Sequence, residues 1–156
     1  MTEPALDLSL ASLFAGWALA DALQRRLADD GFGDLRFADG FVFQHLVEAP
    51  MAIGALAARL EVTQQAASKS IADLERRGYV RRTPDPADAR GRLAALSPRG
   101  EAAVSAARRH RAALEAELAE RLGPRRVQAA RRLLVDVVDE LGAAAAVRGR
   151  RVRPPR

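Results

Sequence analysis

The segment from Val62 to Gly100 constrains the fold more than any other, because a helical pattern with one polar side runs directly into a hairpin pattern. Ala67, Ile71 and Leu74 follow helical spacing and predict one packable face. The largely opposite side carries amides, a hydroxyl and an amine, on Gln64, Gln65, Ser68 and Lys69. Such groups can read base edges or contact phosphates. Taken alone, the pattern also fits an ordinary amphipathic surface helix.

The residues that follow this helix favour a β-hairpin. Tyr79 to Thr83 is a short β-prone run, and Arg92 to Leu96 is a second one. Residues 84–91 between them are dense in turn formers. This arrangement places Arg90 near the hairpin tip, where Asp88 could brace it. An arginine on a thin projecting hairpin suits a narrow minor groove, and the alternative is a solvated loop charge.

A shorter helix is predicted immediately before the polar-faced one, over Ala52 to Leu60. Glu61 and Val62 would form a tight turn, and Thr63 is a plausible N-cap for the second helix. Two short helices joined by a brief turn form a helix-turn-helix. With another helix over residues 36–48, the pattern predicts a winged helix-turn-helix over about residues 36–100.

Long helices are predicted at both ends of the chain, over about residues 6–29 and 98–146. Ser97 caps the second of these regions with Pro98 at its first position, and Gly123-Pro124 interrupts it. These leucine- and alanine-rich helices are too long for the winged unit alone to bury. The simplest partner is a second copy, which would set two recognition helices about one turn of DNA apart, or a small multiple. An intrachain bundle is the alternative.

The positive charge is concentrated in two places. The 156-residue chain has a net charge of +5, and residues 148–156 hold five arginines without an acid, so residues 1–147 are close to neutral. Residues 76–99 hold seven arginines against two aspartates. Such a patch supplies the salt-dependent phosphate term of nucleic-acid binding. We expect residues 1–147 to form one domain and residues 148–156 a basic, disordered tail.

The composition argues against several other classes of protein. There are no cysteines, which excludes disulfides and thiolate metal sites, and the two histidines lie far apart in sequence. We find no catalytic spacing of nucleophile and base, no phosphate loop and no carboxylate pair, so we expect neither an enzyme nor a cofactor or metal site. No segment has the character of a membrane span or signal peptide. A cytoplasmic protein follows, and a protein-binding helical module would leave the polar helix face unexplained.

Three motifs in a fixed order resemble the MarR family of bacterial transcriptional regulators. They are LERRGYVRR from Leu74, DPADAR from Asp85, and LSPRG from Leu96. Ser97 stands where the family usually has threonine, and both residues can cap a helix. Lys69 stands where an arginine is common, which keeps the charge but loses the bidentate fork. The resemblance covers roughly Leu6 to Leu141.

The resemblance implies a mainly α-helical homodimer with a small β-hairpin wing that binds a palindromic operator in double-stranded DNA. Such proteins usually repress nearby genes and release DNA when a small aromatic or phenolic ligand binds. We predict that the DNA-binding residues are Thr63, Gln64, Gln65, Ser68, Lys69, Arg81, Asp88, Arg90 and Arg92. A ligand-insensitive architectural DNA-binding protein is the alternative.

The ligand site of the family tends to lie between the dimer helices and the winged unit. Phe14, Trp17, Phe41 and His45 could line such a place. Plain packing in the core is the alternative for the aromatic residues. His45 lies on a mostly apolar helix face and needs a hydrogen-bond partner, which could be a ligand oxygen or a backbone carbonyl.

Overall fold

The computed structural model describes residues 6–143 and is mainly α-helical with a small antiparallel sheet, which confirms the predicted fold class. In chain order the elements are α1 (Leu8–Leu27) with a π-helical extension (Ala28–Phe32), α2 (Asp39–Leu46), β1 (Met51–Ala52), α3 (Ile53–Leu60), α4 (Gln64–Arg76), β2 (Val80–Asp85), β3 (Asp88–Leu96), α5 (Pro98–Leu122) and α6 (Pro124–Glu140). The predicted arginine tail lies outside the described residues. The last helix was predicted to reach residue 146 but ends at Glu140, because Gly142 adopts a positive φ of 72° and turns the chain.

The sheet has three strands in the order β1-β3-β2. In the hairpin, Val80 pairs with Leu96 and Asp85 pairs with Asp88, so the turn consists only of Pro86 and Ala87. The predicted turn over residues 84–91 was therefore too long, and both strands extend further than expected. We did not predict β1, because a strand of two residues leaves no alternation in the sequence.

The core lies inside the winged unit. Its fully buried large side chains are Leu56, Ile71, Leu74 and Tyr79, which come from α3, α4 and the start of the hairpin. The start of α5 packs against this core. A Cβ on Gly100 would lie 2.2 Å from the Tyr79 carbonyl oxygen, so only glycine fits at this position. The Ser97 hydroxyl accepts from the Gly100 N–H at 3.1 Å, which confirms the predicted cap.

Helix α2 is shorter than the predicted span of residues 36–48. The N–H groups of Asp39 and Gly40 bond to the carbonyl oxygens of Arg36 and Phe37, three residues back, so residues 36–38 form turns. The Asp39 carboxylate also accepts the Arg36 N–H at 2.9 Å, which holds this tighter geometry. At the other end, α2 stops at Leu46, before Pro50.

Helices α1 and α6, and α5 beyond its first turns, lie outside the winged unit. Helix α1 packs on α5, and α5 packs on α6. Arg26 of α1 donates two hydrogen bonds to the Glu117 carboxylate of α5, at 2.9 and 2.7 Å. No residue of α6 is buried within this chain. Across residues 6–143, none of the helices has the length and apolar character needed to span a bilayer.

Candidate nucleic-acid interface

A tight turn positions the candidate recognition helix α4 against α3. Glu61 ends α3 in the left-handed region at φ 54°, which reverses the chain within three residues. Thr63 has extended backbone angles, and its Oγ1 accepts a hydrogen bond from the Ala66 N–H at 3.1 Å. Thr63 is therefore the N-cap of α4, as predicted, and its hydroxyl oxygen is engaged in that bond.

The two faces of α4 are divided as the sequence pattern predicts. Ala67, Ile71 and Leu74 are buried in the core, which confirms the packable face. Gln64, Gln65 and Lys69 are exposed to solvent. Ser68 is half-buried, because it follows Ala67 at the edge of the packed face. The structure therefore leaves two amides and one ammonium fully available and places one hydroxyl at the margin.

The tip of the wing is shaped by two aspartates that bind backbone. Asp85 Oδ1 accepts the Ala87 N–H at 2.8 Å, and Asp88 Oδ1 accepts the Arg90 N–H at 2.9 Å. The predicted brace between Asp88 and Arg90 thus acts on the Arg90 backbone, while the Arg90 side chain is exposed on β3, just beyond the turn. Asp88 contributes to this surface by fixing the backbone of the tip.

The seven arginines of residues 76–99 divide into two groups. Four of them form ion pairs within the chain: Arg76 and Arg77 with Asp73, Arg82 with Glu75, and Arg99 with Asp34. Among residues 6–143, the other three make no ion pair: Arg81, Arg90 and Arg92. Those three are exposed on the wing, with one Arg92 amino group donating to the Gly91 carbonyl at 3.1 Å. They are also the three arginines that the sequence analysis selects.

A buried ion-pair network holds the far end of α4, and the sequence analysis did not identify it. Arg77 donates to the Asp39 carboxylate of α2 at 2.9 and 3.1 Å and to the Asp34 carbonyl at 2.9 Å. It also pairs with Asp73 at 2.8 Å. The Arg77 and Asp39 side chains are each only 11% exposed. The available signal was the spacing of Asp73 three and four residues before Arg76 and Arg77.

The electrostatics of this network favour its charged form. The hydrogen bonds to Asp39 raise the pKa of Arg77 above its ordinary value, against the opposing effect of burial. Burial alone would raise the pKa of Asp73, but the hydrogen bond from Arg77, with the charges of Arg77, Arg36 and Arg76, lowers it below its usual range. The network therefore fixes how α4 sits relative to α2 near neutral pH.

A cleft of about 390 Å³ lies between α1, α2 and α5. Of the four predicted ligand residues it contains only Phe41 in its lining. Phe14 and Trp17 form an edge-to-face pair, with ring centroids 5.4 Å apart, on the exposed side of α1. His45 is buried in α2 and does not line the cleft. The structure thus does not bring these four residues together, because Phe14 and Trp17 lie on an exposed part of α1 that does not line the cleft and His45 is buried elsewhere in α2.

The arrangement defines a winged helix-turn-helix unit with an exposed hydrogen-bonding helix face and cationic side chains on the wing. The MarR family model matches residues 34–91, which run from the turn before α2 into strand β3 of the wing. Over these residues the winged unit is similar to the MarR family, which agrees with the resemblance that the sequence motifs carry. No curated protein matches the sequence at a significant level.

Solved structures with the same fold span nearly the whole described chain. RV1404 from Mycobacterium tuberculosis has 22% identity and a TM-score of 0.73, and the alignment covers 89% of this chain and 97% of that one. A variant of MarR from E. coli has 23% identity and a TM-score of 0.63, with 87% and 99% covered. A variant of S. aureus MepR, solved bound to an oligodeoxyribonucleotide, has 18% identity and a TM-score of 0.63, with 87% and 99% covered.

Proposed function

We propose that this protein is a homodimeric DNA-binding repressor of nearby genes that a small aromatic anion releases from a palindromic operator. One observation carries the DNA-binding part: the wing arginines that make no ion pair within residues 6–143 and the exposed amides of α4 belong to one folded unit. In this proposal, Gln64, Gln65 and Lys69 meet base edges in the major groove, and Arg90 enters the adjacent minor groove.

Dimerisation is supported by apolar side chains that the terminal helices expose. The exposed apolar side chains at α1 are Leu6, Leu8, Leu10, Leu13, Phe14, Trp17 and Leu19, of which Leu6 lies just before the helix. Those at α6 are Leu133, Leu134, Val135 and Leu141, of which Leu141 lies just after the helix. Exposed apolar area of this extent on two helices that both pack on α5 is typical of an oligomer interface. A two-fold dimer through these helices would present two copies of α4 to two half-sites.

The effector class is supported by the chemistry of the cleft lining. Phe37 and Phe41 pack edge to face, with centroids 5.6 Å apart and planes at 90°, beside the opening. Three arginines also line the cleft: Arg36, Arg108 and Arg111. The described lining residues include no aspartate or glutamate. Aromatic rings beside three guanidinium groups, two of which make no ion pair within residues 6–143, favour a planar carboxylate or phenolate.

The proposal is tested by measuring binding to the DNA upstream of the protein's own gene against random DNA, across a salt series. Tight, selective binding by two protomers per site, weakening with added salt, would support it. Equal and weak binding to both DNAs would contradict it and favour the alternative of an architectural DNA-binding protein.

A pair of wing variants sharpens the test. Arg90→Ala should weaken operator binding about tenfold with no change in thermal stability, because its side chain makes no ion pair within residues 6–143. Arg82→Ala is the matched control, since Arg82 lies on the same hairpin but pairs with Glu75 at 3.1 Å. Equal losses in the two variants would count against a specific role for Arg90.

A further inference from the structure

Arg36 lies where the cleft meets the recognition helix. It is one of the residues that line the cleft, and one of its terminal nitrogens is 3.3 Å from Asp73 Oδ2 on α4. The Arg36 side chain is 66% exposed. An exposed ion pair of this kind contributes little free energy, so an incoming anion can displace it at small cost.

Of the three arginines in the cleft, Arg36 alone is paired with α4 among the described residues. Arg108 and Arg111 make no ion pair in residues 6–143 and reach the cleft from α5. The backbone N–H of Arg36 also donates to the Asp39 carboxylate at 2.9 Å, and Asp39 is held by Arg77. Arg36 therefore touches both acids through which α2 and α4 are joined.

We propose that Arg36 is a positioning residue that transmits the occupancy of the cleft to the recognition helix. An aromatic carboxylate in the cleft competes with Asp73 for the Arg36 guanidinium. When the guanidinium turns toward the ligand, α4 loses one of its ties to the start of α2, and its orientation on DNA changes. This inference rests on the proposed function and adds the residue through which the two sites are coupled.

If the ligand and Asp73 compete for the Arg36 guanidinium, a substitution of Asp73 should increase the affinity for the ligand. Because coupling between two sites is reciprocal, removing the Asp73 charge should strengthen binding of the carboxylate and weaken its effect on DNA. Asp73→Asn keeps all three arginines that line the cleft. A change in this variant therefore cannot come from loss of the ligand's own cationic partners.

The experiment measures operator affinity with and without benzoate, using a duplex selected in vitro by the wild-type protein. Benzamide, the uncharged analogue of nearly the same shape, is the ligand control. Arg76→Gln is the matched control for Arg36→Gln, because Arg76 also pairs with Asp73 but does not line the cleft. The readout is the ratio of the two affinities for each protein, so a change in basal DNA affinity cancels. Calorimetry measures benzoate binding directly.

Benzoate should weaken DNA binding by the wild-type protein and by Arg76→Gln about tenfold, and benzamide should not. The ratio should fall below about threefold in Arg36→Gln and in Asp73→Asn, with tighter benzoate binding in the latter. A full benzoate effect in either of these variants would overturn the role of Arg36 and leave the proposed function intact. A wild-type protein that binds the duplex but does not respond to benzoate would overturn the aromatic-anion part of the proposed function itself.

Discussion

The winged unit buries its large apolar side chains, whereas the terminal helices leave many of theirs exposed to solvent. In the winged unit, Tyr79 and Ile71 are 0% exposed, and their neighbours form one continuous core. In the terminal helices, Trp17 is 59% exposed and Leu134 is 43% exposed. The same chain thus contains one region that is complete by itself and one whose apolar surface remains open.

This difference separates two kinds of stability. A closed core contributes folding free energy at any protein concentration, whereas an open apolar face contributes only when another surface covers it. The polar network between Arg77, Asp39 and Asp73 belongs to the closed region and holds α4 in place. We therefore expect the DNA-reading unit to keep its geometry independently of association, while the terminal helices set the distance between two such units.

The largest expected effect tests the closed region. Leu56→Ala should lower the free energy of unfolding by about 2–5 kcal/mol, because it leaves a cavity in a core with no exposed side to collapse. Leu134→Ala removes the same atoms from an exposed face of α6 and should cost much less at low protein concentration. Urea denaturation of both variants at several concentrations measures the difference. Equal losses at the lowest concentration would contradict the division into closed and open regions.

The next effect tests the open region. Trp17→Ala should raise the dissociation constant of the proposed homodimer about tenfold or more, because large aromatic side chains dominate the energy of interfaces. Analytical ultracentrifugation over a concentration series measures this constant. Lys69→Ala is the control, since Lys69 is exposed on the recognition helix, away from the terminal helices. A wild-type protein that stays monomeric throughout the series would rule out this use of α1.

The winged unit was the region most accessible from sequence. Its helix face was predictable because Ala67, Ile71 and Leu74 repeat with the helical period, and its cap because Thr63 and Ser97 precede helical runs. The hairpin was predictable in kind but not in length. Asp85 and Asp88 tighten the turn to two residues by bonding backbone N–H groups, and this contact leaves no periodic signal.

The interactions that join separate elements could not be predicted from spacing alone. Arg77 reaches Asp39 across 38 positions of sequence, and no local pattern encodes which acid it meets. The cleft posed the same difficulty, because its lining depends on how α1 rotates on α5. Phe14 and Trp17 lie on the same helix as the lining residue Leu23 but point elsewhere. The sequence predicts that Phe14 and Trp17 lie on a helix but does not specify which residues they contact.

The two regions meet at a polar junction below the hairpin. The Tyr79 hydroxyl donates to the Asp34 carboxylate, and Arg99 of α5 donates to the Tyr79 oxygen at 3.0 Å and to Asp34 at 3.4 Å. The Arg99 guanidinium also lies over the Tyr79 ring, 4.7 Å from its centroid. The hydrogen bond from Tyr79 is the main reason why the pKa of Asp34 is below its usual value.

The smallest expected effect tests this junction through pH. Because the folded-state pKa of Asp34 is lowered, its contribution is present above the unfolded pKa of about 4 and is lost as pH falls through the folded value. Tyr79→Phe keeps the ring packed against Phe43 but removes the donor. It should cost about 1 kcal/mol at neutral pH, less than a fully buried charged hydrogen bond, because the Asp34 side chain is 45% exposed.

That loss should shrink as the pH falls from about 4 through the lowered folded-state pKa of Asp34, because protonation removes the carboxylate that accepts the Tyr79 hydrogen bond. Urea denaturation of the wild type and Tyr79→Phe across this range measures the difference. Asp34→Asn is the control, because it removes the titrating group and should flatten the same part of the profile. A difference that stayed constant with pH would mean that Tyr79→Phe acts through packing, and the junction would then belong to the closed core alone.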